Sequence, residues 1–313
     1  MSTTINYIMS YKISNEMEFG FPNEEYIDNK IDNQIDNNTD NKYRNYNINY
    51  DTMTESEIKK REVIRDLYKK QRLNCNYIFN KNLIKKYCSY NSLINFWSLF
   101  STLDGIVDLS DPDTAMPNSL HALQTAEAIR KDNKPDWFVL CGLIHDLGKC
   151  IYLSGKDDDG TSKSTQWSIV GDTFITGCTI PNDIILSEYN ILNSDHQNNI
   201  SLYKNNCGLS NCSVSFGHDE YMYRLLIANN HSLPDEALYI IRYHSLYCWH
   251  SSTSYDYLTD TKDYNMKSIV QEFNKYDLYT KDDKNIIKWT SELKEYYTKL
   301  IKKYIAKDLM IYS

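Results

Sequence analysis

The amino-acid sequence predicts an all-α fold, a helical bundle that begins near residue 50 and continues to the carboxyl terminus. Apolar residues recur at the three- and four-residue spacing of amphipathic helices through most of that region. Residue types that begin and end helices stand at the borders of these stretches. No stretch shows the sustained alternation of apolar and polar residues that is typical of a half-buried strand. We therefore predict a single helical domain over residues 51–313.

The first 50 residues differ in composition from the rest of the chain. An Ile-Asp-Asn triplet repeats with a period of four, starting at Ile27, Ile31 and Ile35, within a stretch rich in Asn and Asp. Isolated isoleucines bury too little surface to offset the conformational entropy lost on folding. We therefore predict a disordered extension over residues 1–50. A short helical arm is the alternative, although Asn and Asp are poor helix formers.

The first predicted helix follows Thr54, which has the spacing of a capping box with Glu57. A second apolar helix runs from Leu93 to Leu103 and ends at Asp104-Gly105. The polar segment from Lys156 to Thr165 contains a glycine and no apolar anchor, so we predict an exposed loop insertion there. Further helices are predicted over residues 119–132, 135–148, 218–230, 234–248, 266–279 and 285–305.

Charge and cysteine content argue against several classes of protein. The chain has 34 basic and 42 acidic residues, a formal net charge of −8, and no basic stripe that would bind nucleic acid or an anionic membrane. It has neither a long apolar run for a transmembrane helix nor a secretory signal. The eight cysteines lack a CxxC pair, which is typical of reduced thiols, and Cys207 with Cys212 cannot close a zinc site. We expect a cytoplasmic monomer.

A histidine and an aspartate stand side by side near the end of an apolar helix that precedes Gly148. A buried carboxylate is costly unless it is paired or bound to a metal. Adjacent helical residues diverge by about 100°, so His145 and Asp146 serve one site only if it is wide, as a two-metal centre is. Lys149 lies one turn beyond His145 on the same face and would act on a molecule bound beside the metal. For any single histidine, a hydrogen-bonded core residue is the alternative.

The order His121, His145-Asp146, Asp277 matches the H…HD…D order of HD-domain metal proteins. Short motifs around these residues are more specific. They are Asp111-Pro-Asp113, Pro117-Asn-Ser-Leu-His121, Gln124-Thr-Ala-Glu127, His145-Asp-Leu-Gly-Lys149, Val170-Gly-Asp-Thr-Phe174, Gly217-His-Asp-Glu-Tyr-Met-Tyr223 and Phe273-Asn-Lys-Tyr-Asp-Leu-Tyr-Thr-Lys281. In this order and at these spacings, from about Arg44 to the carboxyl terminus, they resemble the myo-inositol oxygenase family.

The resemblance implies an HD-domain-like bundle around two irons, with no organic cofactor, that converts myo-inositol and O2 to D-glucuronate. Imidazole and carboxylate suit iron, but they also suit zinc or manganese, so residue types alone do not fix the metal. The second iron would keep positions open for a chelating diol. By the resemblance, His121, His145, Asp146 and Asp277 hold one iron, and Asp146, His218 and His244 hold the other, with Asp146 as the bridge.

The resemblance also implies a set of substrate contacts. Lys149 corresponds to a catalytic lysine beside the substrate oxygen, and Asp146 is catalytic as the bridging ligand. Leu109 stands where the family has an acidic residue, which is a departure from the pattern. The implied substrate-binding residues are Arg44, Asp108, Ser110, Lys149, Gly171, Asp172, His244 and Ser245.

An HD-domain phosphohydrolase is the alternative reading, in which a metal-bound hydroxide attacks a phosphate ester. It uses the same H…HD…D residues, but it explains neither the Gly-Asp-Thr-Phe motif nor the motif around Asp277. It would also require more cationic groups than the motifs of this acidic chain supply. His250 lies outside every motif, and we expect it to be a loop residue at the surface.

Overall fold

The computed structural model describes residues 46–111, 116–279 and 286–313, which belong to one compact unit. Helices dominate, so the prediction of a helical fold is confirmed. None of the helices in these ranges is long and apolar enough to cross a membrane. The helices are α1 (Glu55–Asn74), α2 (Tyr77–Tyr87), α3 (Phe96–Ser101), α4 (Asn118–Lys131), α5 (Asp136–Ile144), α6 (Ser194–Gln197), α7 (His218–Ala228), α8 (Asp235–Tyr243), α9 (Tyr247–His250), α10 (Thr261–Tyr279) and α11 (Ser291–Tyr304).

Short 3₁₀ helices join several of these elements. They span Thr102–Gly105, Leu147–Leu153, Ser187–Leu192, Leu209–Asn211 and Asp256–Leu258. The capping box predicted before the first helix is present: Glu57 N donates to the Thr54 hydroxyl, and Thr54 N donates to the Glu57 carboxylate at 2.7 Å. Local sequence therefore determines where α1 begins.

Four short strands, which the sequence did not predict, form two small antiparallel sheets. β1 (Ser92–Asn95) pairs with β4 (Asp308–Ile311), and β2 (Ile175–Thr176) pairs with β3 (Ser213–Val214). Each strand has two to four residues, too few for period-two alternation to be recognised. The first sheet ties the carboxyl terminus to the start of α3, so this pairing is a product of tertiary packing.

Two predicted helices end earlier than expected, each at a histidine. The helix predicted over residues 135–148 ends at Ile144, and a 3₁₀ segment follows Asp146. The helix predicted over residues 234–248 ends at Tyr243, and α9 begins at Tyr247. Helix propensity does not signal either break. At each end the imidazole of the following histidine bonds to a carbonyl oxygen of its own helix, at Gly142 and at Ile240.

The loop from Lys156 to Thr165 is only partly exposed, so the prediction of an exposed insertion is wrong for its centre. Asp159 and Thr161 are buried, at 8% and 0% exposure. The Asp159 carboxylate accepts hydrogen bonds from the Tyr87 hydroxyl and from Lys86 Nζ, both at 2.7 Å. Polar groups anchor this loop to α2, and polar anchors of this kind leave no apolar pattern in the sequence.

Asp159→Ala is expected to lower the free energy of unfolding by about 1–3 kcal/mol, because the buried Tyr87 hydroxyl loses its acceptor. Urea unfolding followed by circular dichroism measures this change. Asp158→Ala is the matched control, since Asp158 is exposed in the same loop and its removal should leave the midpoint unchanged. Equal midpoints for the two variants would contradict the anchoring role.

Most of the predicted disordered extension, residues 1–45, lies outside the described residues, and Arg44 lies there with it. The last residues of the predicted extension are described. Tyr46 is 4% exposed, and its ring meets the Tyr68 ring edge-on at a centroid distance of 5.7 Å. Tyr46, which lies within the predicted extension, therefore packs against the helical domain.

Candidate active site

Six side chains from five parts of the chain converge at the centre of the bundle. Each is at most 6% exposed. His121 lies on α4 and Asp277 on α10, while His145 and Asp146 follow the end of α5. The remaining two are His218, the first residue of α7, and His244, which follows the end of α8. These are the six residues that the sequence proposes as metal ligands.

The first group of donors contains two histidines and two aspartates. His121 Nε2 lies 2.9 Å from Asp277 Oδ1, and His145 Nε2 lies 3.4 Å from the same oxygen. Asp146 Oδ2 lies 3.6 Å from His145 Nε2 and 3.9 Å from His121 Nε2. A metal ion among these four side chains would meet two nitrogen and two oxygen donors.

The second group shares Asp146 with the first. Asp146 Oδ1, the other oxygen of that carboxylate, lies 3.2 Å from His218 Nε2. His218 Nε2 in turn lies 3.2 Å from His244 Nε2. The donor atoms of Asp146, His218 and His244 all lie within 4.8 Å of one another. The two carboxylate oxygens therefore face different groups, as a bridging ligand requires.

Helix ends orient two of the imidazoles. His145 Nδ1 lies 2.9 Å from the Gly142 carbonyl oxygen at the end of α5. His244 Nδ1 lies 3.2 Å from the Ile240 carbonyl oxygen at the end of α8. A carbonyl oxygen only accepts, so each Nδ1 carries the hydrogen and satisfies a carbonyl at the end of its helix. In the neutral ring, Nε2 is then a lone-pair donor that points into the site.

The close approach of ring nitrogens tests whether the cluster fits cations. His218 Nδ1 donates to the Ile169 carbonyl at 2.7 Å, so its Nε2 is the nitrogen that faces the site. His218 Nε2 lies 3.2 Å from His244 Nε2, and His145 Nε2 lies 3.3 Å from His121 Nε2. Two pairs of ring nitrogens thus converge beside the Asp146 and Asp277 carboxylates, and each pair would serve as nitrogen donors to a cation. The donor set and its geometry therefore fit two metal ions.

The two carboxylates of the cluster, those of Asp146 and Asp277, are ionised at neutral pH. Burial alone would raise the pKa of Asp146, but the charges of Lys149, His145 and His218 hold it well below its usual value. Burial also acts to raise the pKa of Asp277, and hydrogen bonds from His121 and His145 lower it well below its usual value. The site thus holds two buried negative charges, which favours cations.

Lys149 is buried beside Asp146. Its ammonium donates to Asp108 Oδ2 at 2.7 Å, to Asn118 Oδ1 at 2.9 Å and to Asp146 Oδ2 at 3.0 Å. Burial would lower the pKa of Lys149, but the two carboxylates raise it above its usual value, so the side chain is charged.

Asp108 is the second carboxylate, besides Asp146, that forms an ion pair with Lys149. Burial would raise the pKa of Asp108, but the charge of Lys149 lowers it to about 2. Because this pKa is depressed in the folded state, the stabilisation by the Asp108–Lys149 pair is present at neutral pH. It is lost only as the pH falls towards about 2.

A cleft opens above the cluster. Five of the six candidate ligands line it. The other lining residues are Asp108, Ser110, Asp111, Lys149, Gly171, Ser245 and Tyr247. Besides Lys149, the structure therefore places five of the predicted substrate contacts at the cleft, namely Asp108, Ser110, Gly171, His244 and Ser245.

Gly171 and Asp172 lie differently, although they are adjacent. Gly171 lines the cleft with a φ of +83°, and a Cβ there would lie 2.8 Å from the Tyr68 hydroxyl oxygen, so only glycine fits. The Asp172 carboxylate accepts a hydrogen bond from the Tyr68 hydroxyl at 3.4 Å. Asp172 is not among the described residues that line this cleft, and its contact with substrate stays a prediction.

Several residues that support the site were missed by sequence reasoning. Asn118 bonds to Lys149, and its place in the Pro-Asn-Ser-Leu-His motif was a usable signal. The buried Asp219 lies 2.8 Å from His218 Nε2 and accepts from Ser245 N at 3.2 Å. Its position directly after His218 was the available signal.

His250 is buried, so the expectation of a surface loop residue is wrong. It is 1% exposed at the end of α9. Its Nε2 donates to the His244 carbonyl oxygen at 2.9 Å, and Asn274 Nδ2 donates to the same oxygen at 2.9 Å. Burial lowers the pKa of His250 to about 4. His250 and Asn274 together hold the backbone that carries His244.

Comparison with known proteins agrees with the site. Residues 61–311 match the model of the family described as myo-inositol oxygenase. An inositol oxygenase from Dictyostelium discoideum is 40% identical over 256 residues, covering 79% of this chain and 85% of that protein. Those from Sus scrofa and Homo sapiens are 46% and 44% identical over 209 residues, covering 64% of this chain and 71% and 70% of theirs. The chain therefore belongs to the myo-inositol oxygenase family and is an oxidoreductase.

Proposed function

We propose that this protein is an inositol oxygenase that opens the ring of myo-inositol with O2 and releases D-glucuronate. Family membership and relatives named inositol oxygenase support the substrate. The reaction balances when one O2 accepts four electrons from one myo-inositol, giving one D-glucuronate and one water. We further propose that it serves inositol catabolism as a cytoplasmic monomer.

We propose that the metals are two irons. His121, His145, Asp146 and Asp277 would hold one, and Asp146, His218 and His244 would hold the other. A bound iron pair would supply Lewis acidity towards substrate oxygens and redox equivalents towards O2. The mixed nitrogen and oxygen donors support iron, while the absence of thiolates from this set of six argues against a structural zinc site.

The charge of the cleft is the observation that most favours a neutral polyol. Asp108, Asp111, Asp146 and Asp277 line the cleft, and Lys149 is the one cationic side chain among its described lining residues. The Lys149 ammonium already has three oxygen acceptors. Such a cleft offers hydrogen-bond acceptors to hydroxyl groups, and among its described lining residues it offers a phosphate dianion no second cationic side chain.

The residues around the metals would bind and orient the ring hydroxyls. Asp108 and Ser110 offer an acceptor and a hydroxyl on one side of the cleft, and Ser245 offers a hydroxyl next to His244. Gly171 leaves its backbone open to close approach, since no side chain covers it. Lys149 would donate a hydrogen bond to a substrate oxygen and hold the negative charge that develops there. Asp172 and Arg44 remain proposed contacts.

The test is O2 consumption by iron-loaded, partly reduced protein in the presence of myo-inositol. We expect uptake that depends on myo-inositol, with one D-glucuronate formed for each O2. A phosphate ester offered to the same preparation should not be hydrolysed. Ester hydrolysis without O2 uptake would identify an HD-domain phosphohydrolase and overturn the proposal.

We also propose that residues 1–50 are an extension dispensable for folding and that residues 51–313 form the catalytic domain. Deleting residues 1–40 is expected to leave the melting temperature unchanged. A deletion that continues to residue 50 also removes the buried Tyr46, so it should lower the melting temperature. Differential scanning calorimetry compares the two. A large loss of stability in the shorter deletion would disprove the disordered extension.

A further inference from the structure

Two thiols lie in contact away from the metal cluster. Cys207 Sγ lies 3.6 Å from Cys212 Sγ, across the short 3₁₀ helix Leu209–Asn211. Both sulfurs also lie 3.6 Å from the Gly208 carbonyl oxygen, which holds them on the same side of this turn. A disulfide has an S–S distance of about 2.05 Å, so the two sulfurs must approach by about 1.5 Å to bond.

The two cysteines differ in their access to solvent. Cys207 is partly exposed, and its neighbours Asn206, Ser210 and Asn211 are exposed. Cys212 is 4% exposed. Burial raises the pKa of Cys212 above its usual value, and the neighbouring Cys207 raises it further. An external reagent therefore meets Cys207 first, and Cys212 lies behind it as the second thiol.

The turn is held on both sides, so the pairing does not depend on a mobile loop. Gly208 N donates to the Leu258 carbonyl at 2.8 Å, and Leu209 N donates to the Asp263 carboxylate at 2.8 Å. Arg242 donates to the Cys212 carbonyl at 3.4 Å. β3 begins directly after Cys212.

We propose that Cys207 and Cys212 form a modification site that reacts with low-molecular-weight disulfides, with Cys207 as the attacking thiol and Cys212 as the resolving thiol. We base this proposal on three observations. The two sulfurs are in contact, only Cys207 is accessible to solvent, and hydrogen bonds hold the turn between them. The metal cluster uses neither residue, so the site is additional to the proposed oxygenase reaction.

The chemistry proceeds by two thiol–disulfide exchanges. Cys207 loses its proton and attacks the external disulfide, which forms a mixed disulfide and releases one external thiol. Cys212 then loses its proton and attacks the Cys207 sulfur, which forms the Cys207–Cys212 bond and releases the second external thiol. Both protons leave on the released thiols, and the external disulfide is the species reduced.

The experiment exposes the folded, full-length protein to oxidised glutathione, followed by an acid quench, alkylation with N-ethylmaleimide and peptide mass spectrometry. In the wild-type protein we expect the loss of two alkylated cysteines and a cross-linked pair of residues 207 and 212. Cys212→Ser should instead accumulate a stable glutathione adduct on Cys207. Cys207→Ser should give neither the cross-link nor an adduct on Cys212.

Cys88→Ser is the matched control, because Cys88 is the other partly exposed cysteine and lies at the end of α2. It should form the cross-link at the wild-type rate. The proposal is overturned if both cysteines of the wild-type protein stay reduced and are fully alkylated after exposure to oxidised glutathione. It is overturned as well if Cys207 bonds to a different cysteine, such as Cys178. It is also overturned if the adduct on Cys207 is equally stable in wild type and Cys212→Ser. Circular dichroism on each sample verifies that the protein is folded during the reaction.

Discussion

Asp146→Asn is expected to abolish binding of both metals. One carboxylate oxygen of Asp146 faces His145 and the other faces His218, so one charge serves both groups of ligands. The neutral amide of asparagine has only one good ligand oxygen, and its nitrogen is a poor partner for a cation. The metal content of purified protein, measured by inductively coupled plasma mass spectrometry after iron loading, should fall from two per chain to near zero.

A buried aspartate outside the cleft is the control for this substitution. Asp263 is 1% exposed and accepts hydrogen bonds from Leu209 N and the Tyr239 hydroxyl. Asp263→Asn should therefore retain both metals, even if it lowers stability. Two irons per chain in Asp146→Asn would show that Asp146 is not the bridge, and the assignment of the six ligands would fail.

Lys149→Ala is expected to retain the metals but to lower kcat/KM on the order of 10²–10³-fold. The Lys149 ammonium would contribute a hydrogen bond and a positive charge beside the reacting oxygen, and removal of one such group has an effect of this size. The same change leaves the Asp108 and Asp146 carboxylates without their shared cation. Loss of one partner of a buried pair destabilises a protein by about 3–5 kcal/mol, so the metal-free variant should unfold more easily.

Steady-state kinetics together with metal analysis separates these two effects. Lys86→Ala is the matched control, because Lys86 also pairs with an aspartate, Asp159, but outside the cleft. It should leave kcat/KM unchanged. Loss of iron from Lys149→Ala would contradict this prediction. It would show that Lys149 maintains the metal site, and the loss of activity would then need no contact between Lys149 and substrate.

Much of the helical architecture follows from local sequence. Thr54 and Glu57 define the start of α1. Apolar periodicity locates both ends of α4 and α7 and the end of α11 to within a few residues, but it places the start of α11 too early. Helices are accessible to such reasoning because their hydrogen bonds and side-chain contacts link residues three or four positions apart. The loop around Asp159 was misjudged because its anchors, Lys86 and Tyr87, lie more than seventy residues away in the chain.

The sequence by itself determined which six side chains are the candidate ligands and which lysine lies near them in the motifs, since residue type and motif order carry that information. Only the tertiary structure decided how they meet. The contact between His121 and Asp277 spans 156 positions, and that between Asp108 and Lys149 spans 41. Helix propensity did not signal the ends of the helices before His145 and His244, where each ring bonds to a carbonyl of its own helix and faces donors from other helices. Contacts between distant segments depend on how whole helices pack, and the order of residues along the chain does not encode that packing locally.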